Sequence, residues 1–412
     1  MKPPSKRGPG QVPGTAGHGR PAPERVDVIE YHAPEACVLC ERSLREKPAK
    51  NYTGYYEVDL EPIEGGGWRI TIRLHYWQEA PCDCGHVMRA EPSRRTEEGV
   101  TIGGFRLIGP GLATLIVALS RRHRQSCERI REFLGEWLGV WLSVGAIHAA
   151  IEEAGAVVAP VEKDLIEAVQ QSGLLQADET PWPEQGASNV SLWLWVFIGA
   201  RVCLYFVSHR GQEWVKNVLE SFPGVLMSDG WQAYRWLPQR LRCWAHLKRK
   251  AVGLSESLNR EAQAFGQSVL DLWAALREAV EKAREGPPGS IRDTFSDRLV
   301  AFRSECERYQ KSSHEKTRAL AGEFLNDWEA IFAVLDDPRW PLTHNEAERA
   351  LRHWVIYRQL THGTRTARGS RGLALLASVI DTCRQRGHSP WDYLRTAIIR
   401  RRQDLPLLPL PD

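Results

Sequence analysis

Apolar and polar positions follow different periods in different parts of the chain, and these changes predict the domain boundaries. In residues 26–92 apolar and polar residues alternate, most clearly over residues 68–76, which is the period of a β-strand. Three glycines at residues 65–67 provide a turn, and residues 55–60 are the expected partner strand. This region is therefore predicted to be a small β module.

Residues 93–171 show helical spacing instead, with apolar residues at i, i+3, i+4, i+7 and i+8 from Ile130. Gly139 ends this stretch, and Ser143 is the expected N-cap of a helix that begins at Val144. Two short helices around a glycine-containing turn permit a helix-turn-helix that binds DNA. A helical linker or a dimerisation element is the alternative that the same pattern allows.

Residues 172–250 return to short apolar runs of strand length. The pattern predicts three strands, at residues 174–177, 191–198 and 202–208. A helix at 213–221 follows, and then two strands at 225–228 and 241–244. Three strands, a helix and a fourth strand is the opening order of a ribonuclease H-like fold, in which the first and fourth strands are neighbours. The predicted fold class is therefore α/β with a ribonuclease H-like catalytic core.

The remaining segments are assigned from helical stripes and composition. Stripes separated by a Gly-Pro-Pro-Gly break fill residues 251–340, which we interpret as a helical insertion into the core. Helical spacing resumes in residues 341–395, the predicted last part of the core, and residues 396–412 are assigned to a tail. Residues 1–25 are rich in proline and glycine and carry five basic residues against one acid, which predicts a disordered basic arm.

Acidic residues lie where the predicted core elements begin or end. Asp178 follows the first strand and Asp229 follows the fourth, so neighbouring strands deliver both carboxylates to one edge of the sheet. Hard divalent cations prefer such oxygen ligands. Further along, Glu346 and Glu348 flank a helical apolar stripe on opposite sides, because about 100° separates successive helical residues. We predict that one of these glutamates joins Asp178 and Asp229 in a metal site, and that Glu179 points away.

Two cysteine pairs flank the predicted hairpin of the β module, Cys37 with Cys40 and Cys82 with Cys84. Four thiolates brought together by a hairpin form a tetrahedral zinc site, and a fold of this size needs such a staple. The second pair has one intervening residue rather than two, so His86 is an alternative ligand. Reduced structural thiols are the competing interpretation. Nine cysteines, an odd number in a chain without a signal segment, argue against a disulfide framework.

Composition and charge narrow the function further. Hydrophobic content of 42% and charged content of 25% are ordinary for a soluble protein. No apolar run reaches the roughly 20 residues that span a bilayer, and the N-terminus has no apolar signal segment, so we expect a cytoplasmic protein with no membrane partner. The net charge is only +3, but residues 349–380 contain six arginines and no acid. Such a patch suits a polyanion such as DNA, with solvated surface as the alternative.

The motifs, taken in order over about residues 10–395, resemble those of transposases of the insertion sequence 66 family. The matching segments are ADETP at 177–181, SDGWQAY at 228–234, CWAHLKRK at 243–250 and NEAERALR at 345–352. The cysteine pairs resemble the zinc-binding module of this family. The chain departs from the family pattern at the Cys-x-Cys pair and at His344, where the family more often has an acidic residue or asparagine.

The resemblance implies a DDE-type transposase that cleaves DNA and transfers strands. It selects Glu348 as the third acid beside Asp178 and Asp229. In a two-ion mechanism, these carboxylates would hold Mg²⁺ or Mn²⁺, with Asp178 as the bridging ligand. The expected substrates are the terminal repeats of the element and its target DNA.

Further residues are assigned around that centre. His246 is expected to contact the scissile phosphate or orient a carboxylate, with a satisfied core histidine as the alternative. The basic residues expected to contact DNA phosphates are Lys248, Arg249, Lys250, Arg349 and Arg352. The last of these can equally anchor Glu348, four residues earlier on the same helix.

The resemblance also implies helper proteins encoded beside the gene, and we expect a homo-oligomer on DNA. Two other functions fit the same residues. One is a transposase-derived DNA-binding protein without catalysis, against which the presence of all three acids argues. The other is a ribonuclease H-like nuclease that cleaves without joining strands.

Overall fold

The chain folds into two compact units, Met1–Glu91 and Pro92–Asp412, in a computed structural model that describes residues 22–186 and 191–412. The boundary falls at the end of the predicted β module. Residues 1–21 of the predicted basic arm lie outside the described residues.

The first unit contains a sheet whose strands are β1 (Val28–His32), β2 (Lys50–Pro62), β3 (Trp68–Pro81) and β4 (Val87–Arg89). The predicted hairpin is confirmed, because β2 and β3 pair antiparallel with Leu60 opposite Ile70. The three turn glycines at residues 65–67 all have positive φ, a conformation that residues with a side chain rarely adopt. Both strands are longer than predicted, so the open end of the hairpin lies beside the two cysteine pairs.

The sequence pattern predicted that residues 93–171 are helical, but the second unit begins with strands. It begins with a hairpin of β5 (Arg94–Glu97) and β6 (Val100–Gly103). All residues of β5 are polar, and the alternation in β6 is limited to Val100 and Ile102, which is too short to predict a strand. The helices of this region are α1 (Pro110–Arg121), α2 (Cys127–Leu138), α3 (Val144–Val157) and α4 (Glu162–Gln170).

The predicted capping of α3 is confirmed, since the Ser143 side chain accepts a hydrogen bond from the backbone N–H of Ala146. Most of α3 is buried, and it packs against α1. A buried helix is not free to lie in a DNA groove, so this burial favours a packing role over a helix-turn-helix recognition role. The segment Val144–Gln170 is long and apolar enough to cross a membrane by length and composition, but 61% of its apolar window is buried inside the fold, as in a core helix.

The central sheet contains β7 (Leu174–Trp182), β8 (Leu192–Ile198), β9 (Cys203–His209), β10 (Val225–Ser228) and β11 (Arg240–Arg242), with α5 (Gln212–Leu219) before β10. Its strand order is β11-β10-β7-β8-β9, so the first and fourth strands, β7 and β10, are neighbours as predicted. The second strand, β8, lies on the other side of β7. β7, β8 and β9 pair antiparallel, whereas β7, β10 and β11 pair parallel. The fifth strand ends at Arg242 rather than at residue 244, because a helix begins at Trp244.

Helices fill the predicted insertion and begin before it. They are α6 (Trp244–Ser255), α7 (Arg260–Arg284), α8 (Ser296–Tyr309), α9 (Glu315–Asn326) and α10 (Trp328–Phe332). Their buried faces form one hydrophobic cluster that includes Trp244, Phe265, Phe302 and Phe324. Trp244 follows Cys243 directly after β11, so this cluster begins immediately after the last strand of the sheet.

The chain returns to the sheet through α11 (Asn345–Thr361), α12 (Ala367–Gln385) and α13 (Pro390–Arg402). Helices α11 and α12 cover one face of β7, β8 and β9 through a cluster that includes Trp182, Tyr205 and Trp354. The predicted tail from residue 396 is partly helical, since α13 continues to Arg402.

Candidate active site

Asp178 lies inside β7, not after its end as the sequence pattern indicated. Strand β8 pairs with β7 as far as Trp182, whereas β10 pairs only as far as Gln176, so Asp178 lies just beyond the parallel neighbour. Its side chain is 22% exposed. The pKa of Asp178 is raised to about 7, mainly by burial and also by the charges of Glu179, Asp229 and Glu348, although the hydrogen bond from the Glu179 N–H opposes the rise.

Asp229 directly follows β10, as predicted. Its Oδ1 accepts a hydrogen bond of 2.9 Å from the N–H of Trp231, and the next residue, Gly230, has a φ of 108°. The guanidinium of Arg242 donates a 2.9 Å hydrogen bond to the Asp229 carbonyl. A Cβ at residue 230 would lie 2.0 Å from that guanidinium, so glycine is required there for space as well as for backbone conformation.

Glu348 lies in the first turn of α11. Hydrogen bonds of Glu346, in the same turn, attach this end of the helix to β7. The Gln176 side chain donates to the Glu346 carboxylate at 3.2 Å and accepts from the Glu346 N–H at 3.2 Å. This pair ties α11 to β7, two residues before Asp178. Glu348 instead lies with its Oε1 3.9 Å from His246 Nε2, and no ion pair with Arg352 is found in the described part of the chain. The two glutamates therefore serve different contacts, as their helical positions indicated.

The three acids are electrically coupled without forming a tight cluster. The charges of Asp229 and Glu348 both act on Asp178. Within residues 22–186 and 191–412, however, their oxygens are not among the groups of ligand atoms that lie within 4.8 Å of one another. Carboxylates repel each other unless a cation lies between them. Their convergence on one ion stays a prediction.

Glu179 contacts a different partner. Its carboxylate accepts a 2.9 Å hydrogen bond from Arg210, whose guanidinium stacks 4.1 Å from the Trp193 ring centroid and 5.1 Å from that of Trp231. Burial raises the pKa of Glu179 to about 7, and Asp229 adds to the rise while Arg210 opposes it. Glu179 thus anchors an arginine beside the centre.

His344 is the residue of this site to which sequence reasoning gave no role. It precedes α11, its side chain has no exposed surface, and its Nε2 lies 3.9 Å from Asp178 Oδ2. Its ring lies 5.2 Å from that of His246. The pKa of His344 is lowered to about 4, mainly by burial and also by the neighbouring His246, so the imidazole is neutral at physiological pH. The sequence did contain one indication of a role for His344, because the family more often has an acidic residue or asparagine at this position.

The predicted DNA-contacting residues are not equally available. Lys248, Arg249, Arg349 and Arg352 are exposed. Lys250 is exposed too, but its Nζ lies 2.6 Å from the Glu323 carboxylate of α9. A phosphate would have to compete with that carboxylate for Lys250.

The four predicted zinc ligands of the first unit lie together. Their sulfur atoms are all within 4.8 Å of one another, with Cys37 3.7 Å from Cys84 and Cys40 3.4 Å from Cys82. Sulfurs bound tetrahedrally at about 2.3 Å from zinc lie about 3.8 Å apart, so the arrangement is compatible with zinc. His86 is not in this group, and its carbonyl instead accepts from the Cys82 N–H at 2.8 Å, closing the turn of the Cys-x-Cys pair.

Full-length protein with Cys84→Ser is expected to lose about one zinc per chain and to show a lower melting temperature for the first unit, because a small sheet depends on its metal staple. Zinc content by mass spectrometry and calorimetry check this. Cys127→Ser, at a half-buried thiol outside the cluster, is the control and should change neither quantity. Full zinc retention in Cys84→Ser would show that the four-thiolate assignment is wrong.

Comparison with known proteins gives one family. A family model described as "Transposase IS66 family" matches residues 106–372, well over half of the chain. Three similar proteins come from Sinorhizobium fredii (strain NBRC 101917 / NGR234). "Uncharacterized protein y4qI" is 28% identical over 59% of this chain and 50% of its own length. "Uncharacterized protein y4hP" is 27% identical over 60% of this chain and 51% of its own length. "Uncharacterized protein y4jD" is 26% identical over 47% of this chain and 41% of its own length. The chain thus spans about half the length of these relatives, and the cysteine module lies outside the family match.

Proposed function

Because the chain belongs to the IS66 family of transposases, we propose that it is a metal-dependent DNA transposase with Asp178, Asp229 and Glu348 as its catalytic carboxylates. One observation carries the proposal: adjacent parallel strands bring Asp178 and Asp229 to the same edge, where Glu348 adds a third charge that acts on Asp178. The strand order, with the first strand between the second and fourth, supports a ribonuclease H-like core.

The donor set fits a hard divalent cation. All three groups are carboxylates, and Asp178 is largely buried among like charges, which a cation between them would stabilise. When bound, Mg²⁺ or Mn²⁺ would activate the attacking oxygen and stabilise the departing 3′ oxygen.

The neighbouring histidines fit a positioning role. His246 Nε2 faces Glu348 and His344 Nε2 faces Asp178, each at 3.9 Å. We assign His246 the orientation of the Glu348 carboxylate, in preference to a direct contact with the scissile phosphate. Cys243 precedes the helix that carries His246, so the Cys-x-x-His segment would place this ring.

The distribution of basic side chains supports binding of DNA beside the carboxylates. The exposed arginines of α11, Arg349 and Arg352, follow Glu348 on the same helix, and phosphate contacts from them would align a strand with the carboxylates. Affinity should therefore fall steeply with salt. We further propose that the cysteine module recognises the element ends together with α2, of which only Ile130, Leu134 and Gly135 are buried. The protein would act in the cytoplasm as a homo-oligomer with helper proteins.

The test of this function uses labelled DNA carrying the inverted repeats that flank the gene. Purified protein with Mg²⁺ or Mn²⁺ is expected to nick at the repeat ends and to join the released 3′ ends to target DNA. Binding without nicking would instead assign a non-catalytic DNA-binding protein. Nicking without joined product would assign a nuclease.

Removal of the buried charge at Asp178 gives a prediction on stability. Without added divalent ions, Asp178→Asn is expected to raise the free energy of unfolding by roughly 1–3 kcal/mol above pH 7. The pKa of this group rises from 3.8 to about 7 on folding, so its ionisation destabilises the folded state increasingly between those pH values and not below them. Denaturant unfolding at about pH 4 and pH 8 measures the difference. The exposed Asp271→Asn is the control, and an equal effect of Asp178→Asn at both pH values would contradict the prediction.

A further inference from the structure

A second group of metal-ligating side chains lies beside the carboxylate centre, formed by Cys243, His246 and His344. One ligand atom of each lies within 4.8 Å of those of the other two. Cys243 follows β11, His246 lies in the first turn of α6, and His344 precedes α11. We propose that these three side chains bind a zinc ion, separate from the zinc of the cysteine module and from the divalent ions of the carboxylates.

Buried ring nitrogens of His246 and His344 have no hydrogen-bond partner within residues 22–186 and 191–412. His344 is fully buried, and neither of its ring nitrogens has a hydrogen-bond partner among the described residues. The Nδ1 atom of His246 is also buried without a partner. A buried polar atom without a hydrogen bond destabilises the folded protein, and coordination of the nitrogen to a metal removes that cost. Because the Nε2 atoms lie 3.9 Å from carboxylate oxygens of Asp178 and Glu348, the Nδ1 atoms would be the ligands in this site.

The sulfur of Cys243 lies in surroundings that suit a metal-bound thiolate. The side chain has no exposed surface, and the backbone N–H groups of His344, His246 and Ala245 lie near enough to its sulfur to act on its pKa. Burial raises the pKa of this thiol, whereas those three N–H groups lower it. A cation beside the sulfur would offset the cost of burying the charge.

The ligand types select zinc over the ions that the carboxylates prefer. One thiolate and two imidazoles form a nitrogen and sulfur set, which favours zinc, and three protein ligands leave the fourth tetrahedral position for water. With Nδ1 on the metal, Nε2–H of each histidine points to a catalytic carboxylate 3.9 Å away. Zinc would thus fix the positions of Glu348 and Asp178, in the manner of a carboxylate–histidine–zinc arrangement.

Zinc stoichiometry tests the site without any DNA, and therefore independently of the proposed transposase activity. The full-length protein is expected to contain about two zinc ions per chain, and Cys243→Ser and His344→Asn about one each. Cys306→Ser is the control, since this thiol is equally buried but belongs to no ligand group of the described residues, and it should keep both ions. Equal zinc content in wild type, Cys243→Ser and His344→Asn would overturn the proposal.

Cobalt substitution keeps the proposal testable if those variants fold poorly. A full-length variant with Cys37, Cys40, Cys82 and Cys84 changed to serine retains all three proposed ligands. Cobalt(II) should bind it with a thiolate-to-cobalt absorption band that a further His344→Asn change removes. The group of Glu30, His32 and His75 in the first unit contains no thiolate and cannot give this band. A four-serine protein that binds cobalt without the band would overturn the proposal.

Discussion

Asp229→Asn is expected to slow DNA strand cleavage by about 1,000-fold or more while leaving the fold intact. Asparagine has the same size, and its oxygen can still accept the 2.9 Å hydrogen bond from the Trp231 N–H, so the turn after β10 is kept. What it loses is the negative charge that the proposed divalent ions require. Cleavage of labelled end DNA, measured with saturating Mg²⁺, gives the rate. Unchanged cleavage would show that the carboxylate centre is assigned wrongly.

The glutamates of α11 provide a matched pair for the same assay. Glu348→Gln removes a proposed ligand and should give a loss similar to that of Asp229→Asn. Glu346→Gln lies two residues earlier on the same turn and keeps an oxygen that can accept from Gln176, so the docking of α11 survives. Cleavage by this control should stay within about threefold of wild type. The reverse result would transfer the catalytic role to Glu346.

Local patterns were enough to predict most elements of the central sheet. Short apolar runs marked its strands, and the acids after the first and fourth runs marked the edge where a site would form. The extent of β7 could not be read in this way, because the polar and proline residues after Ala177 look like a turn. They stay in the strand because β8 continues to pair with them as far as Trp182. The hairpin of β5 and β6 was missed for the same reason, since its residues are mostly polar.

The contacts that surround the acids depend on residues far apart in sequence. Cys243 and His246 form a recognisable half of a ligand set, but the other ligand, His344, comes only after the whole helical insertion. No role was predicted for the charged residues inside the insertion. Asp327 is in fact buried, and it contacts Arg242 on the last strand of the sheet. The spacing of residues in the sequence cannot predict such a contact, because the contact depends on how the insertion packs on the core.

Arg242→Met is expected to lower the free energy of unfolding of the second unit by about 3 kcal/mol or more. The Arg242 side chain is 1% exposed, and its guanidinium pairs with Glu323 and Asp327 while donating to the Asp229 carbonyl at 2.9 Å. Methionine fills a similar volume but leaves Asp327 buried with Arg240 as its close partner, at 3.1 Å. Urea denaturation of the full-length protein measures the change.

Two further variants test whether the loss of stability comes from the buried ion pairs of Arg242 or from the loss of any arginine. Arg277→Met removes an exposed pair with Glu281 on α7 and should cost less than about 1 kcal/mol. Changing Arg242→Met together with Asp327→Leu should recover part of the loss, since the buried charge is removed with its partner. If Arg242→Met were as mild as Arg277→Met, the network would not be stabilising the fold. The expected result would show that the insertion supports the proposed carboxylate site, because the same guanidinium pairs with Glu323 of α9 and donates to the Asp229 carbonyl.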